Sequence, residues 1–317
     1  MRLVASAPGK VVLFGEWAVL EGGPGVAIGV PPRLSVSWRM PSEKRDDATL
    51  VIRGDSQMAL WDPNTPSEKQ SQIPKFLQKT VKLVESLMLL DTVAEKALRS
   101  GGELRIERGW KIEEGLGSSS AIVAALLEIV SPDRERVEKW HLGRETIRRA
   151  QGGMASGLDL AAQLRGAAVS LVQDRPRPLN LDIPGELMFL HGGEKADTAE
   201  FLKENRVPRE ARLQLGKSCE KFLEKRDWVA AIDEHARILA EHDVWPPALR
   251  DLRREWLGSG LVRAMKSCGA GGGDTWILWS PTEKQAALQA DATSRGYRLK
   301  RVEVATEGSR REKETPQ

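Results

Sequence analysis

The segment Glu114-Gly115-Leu116-Gly117-Ser118-Ser119-Ser120 runs straight into Ala121-Ile122-Val123-Ala124-Ala125-Leu126-Leu127, and it constrains the fold more than any other stretch of the chain. Alanine and leucine are strong helix formers and serines ahead of them supply cap oxygens, so the pattern predicts a helix opening on a glycine turn. Glycine lets an anion approach the backbone, exposed N–H groups point outward, and the helix dipole favours negative charge. The combination suits a polyphosphate, with serine hydroxyls able to ligate the Mg²⁺ that accompanies ATP. A plain serine-capped helix is the simpler reading, but Gly-x-Gly-Ser-Ser-Ser is more demanding than capping requires.

Three further glycine blocks stand around it. Ala7-Pro8-Gly9-Lys10, an apolar run at 11–14 and Gly15-Glu16-Trp17-Ala18-Val19-Leu20-Glu21-Gly22-Gly23-Pro24 read as short strands joined by tight turns. Gln151-Gly152-Gly153-Met154-Ala155-Ser156-Gly157-Leu158-Asp159 places one carboxylate at the start of another Ala-rich helix. Taken alone, Asp159 reads as an N-terminal helix charge stabilised by the dipole. Ser267-Cys268-Gly269-Ala270-Gly271-Gly272-Gly273-Asp274 lies between a predicted helix at 261–266 and a predicted strand at 275–279. A dinucleotide fingerprint must follow a strand and open a helix, so that assignment is rejected. A Walker A loop is also absent: Gly216-Lys217-Ser218 has the right ending, but Ala211 stands where the first glycine is required.

Elsewhere the pattern predicts strands at 34–38, 50–53 and 103–106, and helices at 73–99, 210–224, 228–240 and 248–256. With 40% hydrophobic and 29% charged residues the chain can bury a large core, which excludes a disordered protein. Its 48 Lys and Arg are interleaved with 45 Asp and Glu, so no nucleic-acid-binding stripe is expected. The longest apolar stretch, near 121–130, carries Glu128 and falls short of a membrane span, and no signal-like segment opens the chain. Two unpaired-looking cysteines, Cys219 and Cys268, then point to a reducing, cytoplasmic setting. Four histidines without CxxC or HExxH make no metal finger, so His235 and His242 read as packed or solvated side chains and Cys268 as a small buried residue. The ten dispersed tryptophans are assigned to packing.

In this order the blocks resemble the motifs of the GHMP kinase superfamily, which includes galactokinase, homoserine kinase, mevalonate kinase and phosphomevalonate kinase. The first block looks like its motif 1, residues 114–121 like motif 2 and residues 269–274 like motif 3, so the resemblance covers nearly the whole chain. The stretch from His191 to Glu200 is similar to a T-G-x-x-x-x-T segment of mevalonate-pathway members, with His191 for the usual Thr. Gly15-Glu16-Trp17-Ala18-Val19-Leu20 and the Gly-Gly-Gly-Asp274 ending are most similar to the phosphomevalonate kinase family, with the mevalonate kinases next. Arg148 departs from the Glu that mevalonate kinases carry upstream of their Mg²⁺-ligating Asp, and Lys111 is displaced from the place just before motif 2.

The resemblance implies a two-domain α+β fold with the active site between the domains. Residues 1–167 would carry motifs 1 and 2, residues 168–305 motif 3, and residues 306–317 a frayed charged tail. It implies an ATP- and Mg²⁺-dependent kinase acting on 5-phosphomevalonate, with mevalonate phosphorylation or non-catalytic ligand binding as alternatives. Gly115, Leu116, Gly117, Ser118, Ser119 and Ser120 would wrap the ATP phosphates, with Ser119 at the metal. Lys10 would stabilise charge between the γ-phosphate and the acceptor oxygen, with Asp159 beside it as the second catalytic residue. Lys10, Glu16, Trp17, Ser156, Gly157, Gly271, Gly272, Gly273 and Asp274 would meet the small phosphorylated or hydroxy acid acceptor. No nucleic acid or membrane is implied as a partner, and the chain would act as a monomer or homodimer.

Overall fold

The computed structural model describes residues 1–41, 49–69, 73–111, 114–153, 155–192, 207–242, 245, 247–269 and 275–313. Gly271, Gly272, Gly273 and Asp274 therefore lie outside the described residues, as does most of the His191–Glu200 stretch. Two long antiparallel strands, β1 (Arg2–Phe14) and β2 (Gly25–Arg39), found the first sheet. The chain passes Pro8-Gly9 as a register shift within β1 rather than as a turn between short strands, because an irregularity there keeps both halves paired to β2. To this pair are added β3 (Leu50–Gly54), β4 (Gln57–Trp61), β5 (Gly102–Arg108) and β12 (Arg310–Arg311), in the order β12-β1-β2-β5-β3-β4. β6 (Ala168–Val172) also pairs with β2 and carries β7 (Arg175–Leu179).

Helices α1 (Lys75–Leu90), α2 (Thr92–Leu98), α3 (Ser118–Val130), α4 (Arg136–Ala150) and α5 (Leu158–Arg165) cover this sheet. The run 121–127 of α3 is buried throughout, as a helix apolar on all sides must be. The predicted helix at 73–99 is split at Asp91, whose carboxylate accepts from the Val93 and Ala94 N–H groups and caps α2.

A second, antiparallel sheet runs β11-β8-β10-β9, from β8 (Leu187–His191), β9 (Ala264–Ser267), β10 (Thr275–Trp279) and β11 (Arg298–Arg301). It is accompanied by α6 (Arg209–Lys225), α7 (Trp228–Ala240), α8 (Pro247–Gly258) and α9 (Gln285–Ser294), the first three matching the predicted helices. One apolar core fills the first lobe and continues across through Phe14, Phe222 and Trp228, with the two phenylalanine centroids 4.2 Å apart. A second gathers Trp245, Trp256 and Trp276, so the tryptophans do pack.

Three expectations are corrected. Residues 264–267 form β9, not the end of a helix, because all four are buried and bonded to β10. The break expected after 167 does not separate the lobes: β6 and β7 continue the first sheet, and the second begins at Leu187. The tail is not frayed over its described part, 306–313. There β12 pairs with β1, the Arg33 guanidinium donates to Glu307 O and Gly308 O, and Arg311 donates to Glu128 O and Ile129 O. Its charges are matched by fixed partners, which composition alone does not reveal.

Candidate active site

Lys10 stands on β1 opposite Gly29, and its N–H donates to Leu116 O at 3.0 Å, fastening the glycine turn to the strand. Its side chain passes Gly117 so closely that a Cβ there would lie 2.6 Å from Lys10 Cε. Only glycine leaves the lysine this course. Nζ then meets Asp159 Oδ2 at 3.0 Å, the two residues that the resemblance sets side by side. The lysine side chain is 11% exposed and the aspartate 42%, so a ligand reaches the pair from the carboxylate side.

Gly117, at φ 79°, is the N-cap of α3, and no side chain caps the helix. The serines do not serve as caps but stand inside the first turn. Ser120 is buried and donates to Gly117 O at 3.2 Å, whereas Ser118 and Ser119 remain half-buried at the open helix end. The N–H groups of that turn are thus left for an anion.

The second turn of the site is held by α4. Trp140 Nε1 donates to Gly157 O at 2.8 Å, and Arg144 Nε donates to Ala155 O at 2.9 Å while its guanidinium pairs with Asp174. Ser156 Oγ accepts from Leu158 N–H at 3.3 Å, so Asp159 enters α5 from a braced loop. Arg148 faces the other way and pairs with Glu145 on the helix surface.

Glu16 and Trp17, expected to meet the acceptor, are both buried. Glu16 is buried and takes Lys266 Nζ at 2.5 Å; Lys266 also donates to Ser267 O at 2.7 Å and has no exposure at all. Burial raises the Glu16 pKa, and the Lys266 ammonium opposes that rise. Trp17, at φ 69°, is buried in the second core. Neither offers the acceptor an open surface, because both are spent joining the lobes. The preceding Gly15 N–H donates to His235 Nε2 at 3.2 Å. His235 Nδ1 lies 3.0 Å from Ala231 O, and burial holds the ring well below its usual pKa, so it is a neutral packed histidine. Desolvation pushes the Cys268 thiol up to about 12, which leaves it unreactive.

Several residues not singled out in the sequence converge here. Arg298 on β11 pairs with Glu114 at 2.8 Å and neutralises the acidic residue beside the glycine turn. Thr275 Oγ1 donates to Glu114 O at 2.7 Å and lies 3.0 Å from His191 Nδ1. His191 is held neutral, its pKa pushed down to about 4 by burial, so Nδ1–H donates to the threonine oxygen. Thr275, the first residue of β10, thereby ties the glycine turn to the second sheet. Among the described residues no group of three or more His, Cys, Asp or Glu could hold a metal ion, and no helix is long and apolar enough to cross a membrane.

Comparison with known proteins gives a consistent picture. Residues 79–167 match the GHMP kinases N terminal domain. The chain is 26% identical to the mevalonate kinase of Thermococcus gammatolerans in an alignment covering 100% of both proteins. It shares its fold with the Methanococcus jannaschii mevalonate kinase, with a TM-score of 0.72 at 18% identity over 96% of this chain and 99% of that one. Streptococcus pneumoniae phosphomevalonate kinase, solved with phosphomevalonate and AMPPNP, gives 0.71 at 18% identity over 94% and 99%. A two-lobed α+β fold, a glycine turn feeding α3 and the domain match lead to one assignment: residues 79–167 match a GHMP kinases N terminal domain, within a chain whose fold is that of the solved GHMP kinases.

Proposed function

We propose that the chain is an ATP-dependent kinase that phosphorylates 5-phosphomevalonate to 5-diphosphomevalonate. The observation carrying the kinase reading is the Lys10–Asp159 pair, 3.0 Å apart, beside the 115–120 turn. Phosphoryl transfer needs positioning and charge stabilisation more than covalent work from the protein. The free N–H groups at the α3 end hold the ATP phosphates, and the Lys10 ammonium neutralises charge between the γ-phosphate and the incoming oxygen. An acceptor phosphate oxygen attacks the γ-phosphorus, the bond to the β-phosphate oxygen breaks, and ADP leaves. Ser119 is the hydroxyl suited to Mg²⁺, since Ser120 is already committed to Gly117 O. Mg²⁺, if bound there, would supply positive charge to offset the phosphates.

The choice of acceptor is supported by the Gly-Glu-Trp-Ala-Val-Leu and Gly-Gly-Gly-Asp274 patterns, and by Arg298, which offsets the Glu114 charge beside the glycine turn. The Thermococcus relative favours mevalonate as a second reading. A coupled ADP-release assay with Mg-ATP, run on both acceptors in parallel, decides between them. Turnover with 5-phosphomevalonate alone is expected; turnover with mevalonate alone would refute the assignment.

Asp159→Asn gives an independent check. A phosphate with its second pKa near ~6 is already ionised at neutral pH, so Asp159 mainly orients Lys10. Its loss is then expected to lower kcat about tenfold, the cost of one charge-assisted contact. An alcohol acceptor would need a base there, and kcat would fall on the order of 10²–10⁴-fold.

A further inference from the structure

Asp159 and Gln163 are both on α5, four residues apart in sequence and so on one face of the helix. Asp159 meets Lys10, while Gln163 Nε2 donates to Gly117 O at 3.0 Å and lies 3.4 Å from Leu116 O. Gln163 is completely buried. Leu116 O also accepts from Lys10 N–H at 3.0 Å, and Gly117 O from Ala121 N–H at 3.0 Å. Both carbonyls of the turn are therefore held against the protein. In a trans peptide the C=O and N–H point in opposite directions, so holding these two oxygens inward turns the Gly117 and Ser118 N–H groups outward. Consecutive outward N–H groups beside glycines at positive φ form an anion cradle.

The amide orientation follows from its surroundings, because two carbonyl oxygens can be met only by the NH₂ end. Among the described residues the buried Oε1 end has no hydrogen-bond partner, a cost that packing alone would not retain. An alanine or leucine at this position would avoid it. The helix is steadied in turn by the tail, since Ser309 N–H donates to Gln163 O at 2.8 Å.

From this geometry we infer that Gln163 is a positioning residue for the nucleotide, setting the polarity of the phosphate-binding turn from the same helix that supplies Asp159. The inference rests on the kinase reading above. Gln163→Met keeps the length of the side chain and removes the donor, while each carbonyl retains a backbone partner. ATP affinity, measured by equilibrium binding without acceptor, is expected to weaken about tenfold, the factor one ordinary hydrogen bond represents. KM for 5-phosphomevalonate should stay unchanged, as should the melting temperature apart from the loss any buried bond brings. Gln163→Glu, of the same shape, puts an acceptor where the donor was and should weaken ATP at least as much.

A merely structural role would lower stability and kcat but leave the ATP Kd alone; that result for both variants would overturn the inference. Wild-type protein that binds no ATP would sink the kinase reading and the inference with it. Wild-type protein that binds ATP but turns over neither acceptor would sink only the choice of acceptor, and the binding comparison would still decide the role of Gln163.

Discussion

Replacing Lys10 with methionine is expected to lower kcat about 10²–10³-fold while leaving ATP binding largely in place. The methionine keeps an apolar stem in the narrow passage beside Gly117, so the turn retains its shape. The backbone N–H of residue 10 still reaches Leu116 O, and the anion-binding groups of the α3 end are untouched. What disappears is the ammonium beside Asp159, whose attraction grows as negative charge develops on the transferring group. Asp159 is open enough to recover water when its partner goes, so the fold should lose little. Steady-state kcat and the ATP Kd together check the prediction. Unchanged turnover would refute the role of Lys10, and loss of ATP binding in step with turnover would move that role to ground-state binding.

The second large effect is one of stability. Lys266→Met is expected to destabilise the protein by about 3–5 kcal/mol, because it leaves the Glu16 carboxylate buried without its partner. Burial already raises the Glu16 pKa above the usual 4.5, and removing the ammonium that opposes this raises it further. Above 4.5 the folded variant then holds a proton that the unfolded chain has released, so its stability falls as pH rises. The deficit relative to wild type should be smallest in acid and widen toward neutrality. Urea midpoints taken at about pH 5 and about pH 8 measure it, and a deficit independent of pH would contradict the account. The double variant Lys266→Met, Glu16→Leu should recover most of the loss, since apolar replacement of both partners removes the stranded charge.

The parts of the site legible from sequence are those built from local chemistry. Gly115 to Ser120 announce themselves because turn, helix start and small residues fall within one short run, whereas Asp159 taken alone reads as no more than a helix-end charge. Their meeting with Lys10 is implied only by the resemblance to the GHMP kinases, not by any one block. Gln163 carries a signal too, a lone polar residue on the same face of that helix, but its meaning depends on α5 lying against the glycine turn. Lys266 was hidden differently. The run 261–266 is too short for its periodicity to separate strand from helix, and pairing with β10 decides the matter. Glu16 read as an acceptor contact because nothing near it in sequence identifies a partner 250 residues away. Charge alone predicts a frayed tail, and position after motif 2 puts residues 168–179 in the second lobe, whereas strands of the first sheet complete both.

The pairing of β12 with β1 also sets an order on biosynthesis. Glu312 N–H donates to Val4 O at 2.9 Å, and Ser6 bonds the Glu312 carboxylate, groups 306 residues apart along the chain. Strand β1, translated about 300 residues earlier, thus keeps a free outer edge, able to template pairing with neighbouring nascent chains, until the 305–312 segment clears the ribosome. Contacts of such separation close large loops and form late, so this seam is where refolding yield should respond most to protein concentration.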